Sequence, residues 1–145
     1  MATKKVQVEI QQDATFRTEC KAGKHTLLID QPVAAGGTDS GPTPLDMQLL
    51  ALGGCIAAIG RIVAKQRKLD IRGFKIAVEG DIDTDGLLGK PTPQRVGFQN
   101  LSVRVRIDAD LSVAEKEALL HEIDLRCPIS ENLQNPSTVR VTLDP

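Results

Sequence analysis

The stretch PLDMQLLALGGCIAAIGRIVAKQR, Pro44 to Arg67, predicts a long helix around which the rest of the chain packs. The helix is apolar almost all round between Gln48 and Arg61 and basic at its end. A helix that is apolar on every side is central to its fold or is covered by a partner chain. The uncharged run covers about 12 residues, whereas a membrane span needs about 20, so we interpret it as a buried helix.

Two glycines stand directly before a cysteine in the middle of this helix. Gly53 and Gly54 each weaken the helix by roughly 1 kcal/mol relative to Ala. This cost indicates that another group needs the space that a side chain at these two positions would fill. It is either a closely packed neighbour or a small molecule that reaches the sulfur of Cys55.

Length and charge limit the possible classes of partner. The chain has 145 residues, enough for one domain, residues 1–145, that buries roughly two thirds of its unfolded surface. Its 18 basic and 19 acidic residues leave a net charge of −1, which favours neither nucleic acid nor an anionic membrane. Without Trp or Tyr, and with three Phe, the chain also lacks platforms on which bases stack. We expect no nucleic-acid partner and no membrane partner.

Cysteine usage points away from a metal site. The three cysteines, Cys20, Cys55 and Cys127, are widely spaced, form no CxxC and have only His25 and His121 to complete a ligand set. We therefore expect no metal and no other cofactor.

The N-terminal MATKKVQVEIQQ turns into an alternating strand pattern and lacks the apolar core of a signal peptide, which predicts a cytoplasmic protein. In that compartment a disulfide is more often catalytic or sensing than structural.

The first third of the chain predicts strands followed by a loop. Val6, Val8 and Ile10 alternate with polar residues and predict a half-buried first strand. TFRTECKAGKHTLLID, residues 15–30, predicts a hairpin that turns at its central glycine. QPVAAGGTDSGPTP, residues 31–44, is rich in Gly and Pro and predicts an irregular loop.

The rest of the chain adds strands and a second helix. IRGFKIAVEGDI (residues 71–82) and LSVRVRID (residues 101–108) alternate as strands. Ser112 to Glu115 forms a capping box that opens a helix with Leu119, Leu120 and Ile123 facing inward. Pro128 stops or restarts that helix, and Val139, Val141 and Leu143 predict a last strand. The order βββ-α-ββ-α-β predicts an α+β fold.

The residues alone leave the role of each cysteine open. Cys55 is either an inert small hydrophobe or a nucleophile, and its apolar surroundings should raise the thiol pKa unless a cation or helix-end N–H groups oppose them. In RCPIS, Pro128 suits the first position of a new helix and leaves Cys127 near the N-cap, where a thiolate is favoured. The alternative is a buried half-turn that closes the second helix. Cys20 lies in a hairpin strand, and we interpret it as a bystander.

Two motifs together resemble those of a known family. GGTDSGPTPLDMQLLALGGC, followed at a distance by RCPISENL, resembles the OsmC/Ohr family of osmotically inducible and organic-hydroperoxide-resistance proteins, which are thiol peroxidases. The order of predicted elements agrees over essentially the whole chain. The resemblance implies an OsmC-like fold, with antiparallel sheets around long central helices, in an intertwined homodimer. It also implies a site at the subunit interface that reduces organic hydroperoxides to alcohols.

The same resemblance implies a role for each motif cysteine. Cys55 matches the peroxidatic cysteine, which becomes a sulfenic acid, and Cys127 matches the resolving cysteine, which forms a disulfide with it. An external dithiol, either a lipoylated protein or a thioredoxin-like donor, then reduces the disulfide. Gly53 and Gly54 are expected to let the partner backbone and the peroxide approach the sulfur.

The activating groups depart from the family pattern. In the hydroperoxide-resistance branch an acidic residue directly follows the helix-start proline and holds an arginine over the thiolate. Here Leu45 occupies that place and Asp46 comes one later, where the broader OsmC-like branch carries Glu. Arg17 falls near the region expected for the arginine, although it also fits an ordinary strand residue, and Arg126 is a further candidate.

These departures keep a second function open. The alternative is an OsmC-like binding or interaction domain with little peroxidase activity, which holds a small apolar ligand at the dimer interface. The displaced acidic residue favours this alternative, whereas the retention of both motif cysteines opposes it.

Overall fold

The computed structural model describes residues 1–145 and confirms the α+β class. The strands are β1 (Glu9–Gln12), β2 (Thr18–Ala22), β3 (His25–Ile29), β4 (Ile71–Asp81) and β5 (Asn100–Ala109). The helices are α1 (Pro44–Arg67), α2 (Thr84–Leu87), α3 (Val113–Leu125) and α4 (Pro128–Gln134), with a 3-10 turn at Val33–Ala35. Contacts within the chain group into two compact units, residues 1–48 and 49–145, and each is described by itself. The single domain expected from the sequence stays a prediction.

Residues 1–48 form a three-stranded antiparallel sheet in the order β1-β2-β3. The predicted hairpin is present as β2 and β3, and Gly23 provides its turn with a φ of 59°. Cys20 is buried in β2, opposite Ile10 on one side and Leu27 on the other. Apolar neighbours on both flanking strands suit its interpretation as a small hydrophobic residue.

The buried side chain of Asp30 organises the loop after β3. One carboxylate oxygen accepts the backbone N–H and the hydroxyl of both Thr38 and Ser40, and the other accepts the Gln31 N–H. These hydrogen bonds hold the pKa of Asp30 well below its ordinary value. The loop folds so tightly that a Cβ on Gly37 would overlap the Gln31 carbonyl oxygen. The predicted irregular loop is therefore a fixed structure built on one carboxylate.

In residues 49–145, helix α1 packs on the antiparallel pair β4 and β5. A Cβ on Gly60 would lie 2.7 Å from the Phe74 ring, so the helix needs a glycine to approach the sheet this closely. The Arg61 guanidinium lies 5.5 Å from the centre of the same ring and donates to the carbonyl oxygen of Arg72. Both predicted strands are confirmed, with ends within two residues of those expected from the alternation.

The core of this unit joins α1, the sheet and α3. Its buried members include Leu52, Ile56, Val63, Ile107, Leu119, Ile123 and Cys127. The inward positions predicted for Leu119 and Ile123 are confirmed, and Leu120 is half-buried. The capping box is confirmed as well, because Ser112 Oγ accepts the Glu115 N–H while Glu115 Oε2 accepts the Ser112 N–H.

The two terminal strand predictions need correction. The first strand begins at Glu9 and is exposed throughout, and Val6, Val8 and Ile10 are 77%, 59% and 64% exposed. The last predicted strand is wrong for the single chain, since residues 137–145 form no strand and Val141 is 91% exposed. An alternating segment becomes a buried strand only when another strand accepts its hydrogen bonds and another layer covers its apolar face.

Helix α1 leaves part of its apolar surface uncovered. An exposed stripe runs along it at every fourth residue through Leu50, Gly54, Ala58 and Ile62, with Leu50 61% and Ile62 45% exposed. By length and composition alone α1 could also cross a membrane. One such helix is weak support for a membrane span, because core helices of soluble proteins pass the same test.

Candidate active site

The structure brings Cys55 and Cys127 into contact. Cys55 lies in the middle of α1 and Cys127 in the joint between α3 and α4, 72 residues away, with their Sγ atoms 2.8 Å apart. A disulfide bond is about 2.05 Å long, and both residues are free thiols here. Cys127 is fully buried and Cys55 is half-buried. The two thiols thus meet in the packed interior of the unit.

Cys127 is the N-cap of α4, which is one of the two alternatives that the sequence left open. Its backbone is extended, and its Sγ accepts the Ser130 N–H at 3.4 Å. Pro128 occupies the first helical position, where its missing N–H costs no hydrogen bond. This geometry decides between the two sequence-based alternatives, because a new helix starts at the cysteine.

A chain of side-chain hydrogen bonds supports the same joint. Ser130 is buried, and its hydroxyl donates to Asp124 Oδ1 at 2.6 Å. Gln134 Nε2 in turn donates to Ser130 Oγ at 3.0 Å. We call Asp124, Cys127, Ser130 and Gln134 the α3–α4 corner. Sequence reasoning missed its three polar members, for which the one local signal was a serine three residues after the Cys-Pro cap.

Burial dominates the acidity of Cys55. Desolvation raises the pKa of its thiol, and the adjacent Cys127 thiol raises it further, while the Ile129 N–H lowers it. The two raising effects outweigh the helix N–H. A reactive Cys55 needs a cation or helix-end N–H groups that lower its pKa. Within residues 49–145, the Ile129 N–H therefore meets this need only in part.

Arg126 does not supply the missing positive charge. Its Nη1 lies 2.9 Å from Glu122 Oε1, one turn earlier in α3. The other oxygen of Glu122 contacts Arg67 at the end of α1. The guanidinium beside Cys127 is thus held where α1 and α3 meet, and it is not among the groups that shift the pKa of Cys55.

Arg17 and Asp46, the two other predicted site residues, lie in residues 1–48. Arg17 is exposed just before β2. Hydrogen bonds from Thr15 lower the pKa of Asp13, and the charge of Arg17 adds a smaller effect in the same direction. Asp46 lies in the first turn of α1 and accepts the backbone N–H and the hydroxyl of Thr43. These two hydrogen bonds lower the pKa of Asp46. Asp46 therefore caps the helix start, and the catalytic roles of both residues stay predictions.

The two glycines before Cys55 face different surroundings. A Cβ on Gly53 would lie 3.2 Å from Val78 Cγ2 and 3.6 Å from Ile76 Cγ2, so Gly53 lets α1 approach its own sheet. The expectation that Gly53 admits a partner or a peroxide is therefore wrong. A Cβ on Gly54 would meet nothing within 4 Å, so in the single chain Gly54 opens onto free space. Whether a partner or a peroxide uses the space beside a glycine is therefore a question for Gly54 alone.

Within residues 1–145, no group of three or more His, Cys, Asp or Glu side chains is arranged to hold a metal ion. The chemistry of the site is that of two thiols, a half-buried one on a long helix and a buried one at a helix cap.

Solved structures resemble this fold over nearly its whole length. An OsmC-like protein from Mycoplasma pneumoniae superposes with a TM-score of 0.81 at 20% identity, covering 93% of this chain and 91% of the other. An OsmC-like protein of unknown function from Vibrio cholerae gives 0.74 at 9% identity, over 90% and 94%. An organic hydroperoxide resistance protein from Legionella pneumophila gives 0.67 at 20% identity, over 93% of both chains. At these identities the likeness shows the fold.

Sequence comparison gives the family. No curated protein matches the chain. A family model described as OsmC-like protein matches residues 37–142, which include the second half of the loop after β3, Cys55, Cys127 and the α3–α4 corner. Since this match covers well over half of its residues, the chain belongs to the OsmC-like protein family.

Proposed function

We propose that this protein is a thiol peroxidase that reduces organic hydroperoxides to alcohols. The observation that carries the proposal is the contact between the Cys55 and Cys127 sulfurs, in which one thiol is accessible enough to be oxidised and the other is already in place to react with it. The name of the Legionella pneumophila relative, an organic hydroperoxide resistance protein, supports the substrate class.

The reaction proceeds in two steps on these sulfurs. The Cys55 thiolate attacks the distal peroxide oxygen, the O–O bond breaks, and the alkoxide leaves as the alcohol after it takes a proton. Cys55 is then a sulfenic acid. The Cys127 sulfur attacks Cys55 Sγ, the S–O bond breaks, water leaves, and a disulfide joins the two residues. An external dithiol, lipoyl or thioredoxin-like, supplies the two electrons that restore both thiols.

The raised pKa of Cys55 requires an activating charge in this mechanism. Because Arg126 is not among the groups that shift the pKa of Cys55, we assign this role to Arg17, with Asp46 as the carboxylate that orients it. A cation near a thiol lowers its pKa, which opposes the effect of burial. The assignment rests on two positions: Arg17 falls near the region expected for the family's arginine, and Asp46 stands where the broader OsmC-like branch carries Glu.

A homodimer in the cytoplasm completes the proposal. The exposed stripe of α1 and the alternating terminal segments around Val8 and Val141 are apolar surfaces that the single chain leaves uncovered. A second copy presents the same stripe with Gly54 and Ala58 at its centre, and small residues allow two helices to approach closely. Each terminal segment then finds strand partners in the other chain, as in an intertwined dimer.

A peroxidase assay tests the proposal. We expect the wild-type protein to consume an alkyl hydroperoxide in the presence of a dithiol, Cys55→Ser to lose the activity, and Cys20→Ser to keep it as the matched control. Wild-type activity at the level of Cys55→Ser would refute the peroxidase function.

The second candidate function is a binding domain that holds a small apolar ligand at the dimer interface. The raised pKa of Cys55 is the observation that favours it, because a protonated thiol is a poor nucleophile. The same assay separates the two functions. A binding domain gives no turnover, and its affinity for an apolar ligand survives the Cys55→Ser change.

A further inference from the structure

The joint that carries Cys127 is held by hydrogen bonds on both sides. Two residues, Arg126 and Cys127, separate the last residue of α3 from the first of α4. The Cys127 N–H donates to the Asp124 carbonyl oxygen at 3.1 Å, and the Glu131 N–H donates to the Cys127 carbonyl oxygen at 3.0 Å. The backbone of Cys127 therefore follows the orientation of α4 relative to α3.

The Asp124 side chain fixes that orientation through Ser130. The Ser130 hydroxyl has one proton, which it donates to Asp124 Oδ1 at 2.6 Å, and its oxygen then accepts from Gln134. A hydrogen bond to a carboxylate is among the stronger ones in proteins. Because Ser130 is buried, water cannot readily replace a lost partner. This bond ties the first turn of α4 to the last turn of α3.

The same turn places a hydrogen-bond donor on the Cys127 sulfur. The Ser130 backbone N–H donates to Cys127 Sγ, while its hydroxyl contacts Asp124 and Gln134. Ser130 thus holds the sulfur through its backbone and is itself held through its side chain. Asp124 touches neither sulfur and acts through Ser130.

We propose that Asp124 and Ser130 are positioning residues that hold the Cys127 sulfur in line for its attack on oxidised Cys55. The inference rests on the proposed peroxidase function and concerns its second step. In that step the S–S bond forms as the S–O bond of the sulfenic acid breaks and the hydroxide leaves as water, so no further oxidant is needed. The first step, oxidation of Cys55 by the peroxide, does not use the Asp124–Ser130 bond.

Single-turnover kinetics separate the two steps. One equivalent of an alkyl hydroperoxide is added to the reduced protein, and dimedone added to samples taken at successive times labels the Cys55 sulfenic acid that remains. Loss of the Cys127 thiol, the second thiol to be consumed, reports the disulfide. In Ser130→Ala and Asp124→Ala we expect sulfenic acid to form near the wild-type rate and to persist at least about tenfold longer, since small misplacements of a reacting group cost this much. Asp124→Asn, which keeps an acceptor oxygen, should restore most of the resolution rate.

Ser112→Ala is the matched control. It removes the N-cap of α3, a change that weakens the same helix at its other end without touching the corner. Its sulfenic acid should be resolved at the wild-type rate. Equal slowing in Ser112→Ala, or wild-type resolution in both corner variants, would overturn the positioning role. If the wild type forms no sulfenic acid at Cys55, the proposed function fails and the inference with it.

Discussion

The sulfur of Cys127 lies 2.8 Å from the sulfur of Cys55 while it also serves as the N-cap of helix α4. A side chain that caps a helix is held in one orientation by the N–H it accepts. The Cys127 sulfur is therefore already positioned in the reduced protein, and Cys55 need not unfold its helix to reach it.

Oxidation should join these two cysteines within one chain. After one equivalent of an organic hydroperoxide, we expect peptide mapping to find Cys55 bonded to Cys127, because sulfenic acid condensation requires contact. Cys20 should remain a free thiol, since it is buried in β2 between apolar neighbours. A disulfide that includes Cys20, or two free motif cysteines after turnover, would contradict the assignment.

The acidity of Cys55 should depend on Arg17. An ordinary cysteine has a pKa of about 8.5, and burial raises that of Cys55, so rapid alkylation at about pH 6 to 7 requires a cation. We expect Arg17→Ala to slow this alkylation at least about tenfold, which corresponds to roughly 1.4 kcal/mol. Asp46→Asn should have a smaller effect because a carboxylate only orients the arginine.

Arg126→Ala is the control for this experiment. Its guanidinium is paired with Glu122, so its loss should change the alkylation rate much less than that of Arg17. The full pH profile of alkylation decides the outcome. A Cys55 pKa above about 8.5 that none of the three substitutions changes would leave only the binding domain.

The exposed stripe of α1 should be a contact between two copies of the chain. We expect the wild type to be an obligate dimer, and Ala58→Glu to weaken it by at least about 2 kcal/mol, because an unpaired charge in an apolar contact loses its hydration. Ala118→Glu places the same change on an exposed position of α3 and should leave the dimer intact. Light scattering that shows a stable wild-type monomer at micromolar concentration would contradict this.

Gly54 offers a separate test of what approaches Cys55. In the single chain an added methyl group meets nothing within 4 Å, so Gly54→Ala should strengthen the helix by roughly 1 kcal/mol. If a partner helix or a peroxide needs that space, the same substitution should instead weaken the dimer or raise the KM for the hydroperoxide. Gly53→Ala is the comparison, because its methyl group would press on Val78 at 3.2 Å. A Gly54→Ala protein that is more stable and unchanged in assembly and kinetics would show that nothing occupies the space.

Asp30 should make the stability of the protein sensitive to acid. Hydrogen bonds from Thr38 and Ser40 lower its pKa in the folded state, so its contribution is present above the unfolded pKa of about 3.9 and is lost as the pH falls below that value. We expect Asp30→Asn to lower the Tm at neutral pH by several degrees and to flatten the loss of Tm below about pH 4. Asp39→Asn, at an exposed position of the same loop, should leave both properties unchanged. Thermal unfolding followed by circular dichroism across this pH range measures both effects.

Features that depend on residues close together in the chain could be predicted from the sequence. Alternation predicted β4 and β5, the S-x-x-E spacing predicted the capping box at Ser112, and Cys-Pro gave a helix start at Cys127 as one of two alternatives. Each depends on hydrogen bonds and steric preferences within one or two turns of the chain. The prediction of a terminal strand at Val139 was wrong for the single chain, because a strand must pair with a neighbouring strand and the alternation does not specify which one.

Only the tertiary structure decided how distant residues combine. It showed that Gly53 makes room for Val78 and that Arg126 is held by Glu122. It also placed Cys127 against Cys55 across 72 residues. The residue types at these positions allow several partners, and the packing of α1, the sheet and α3 selects one of them. The sequence therefore determined which residues could react, and the packing of the helices determined which of them meet.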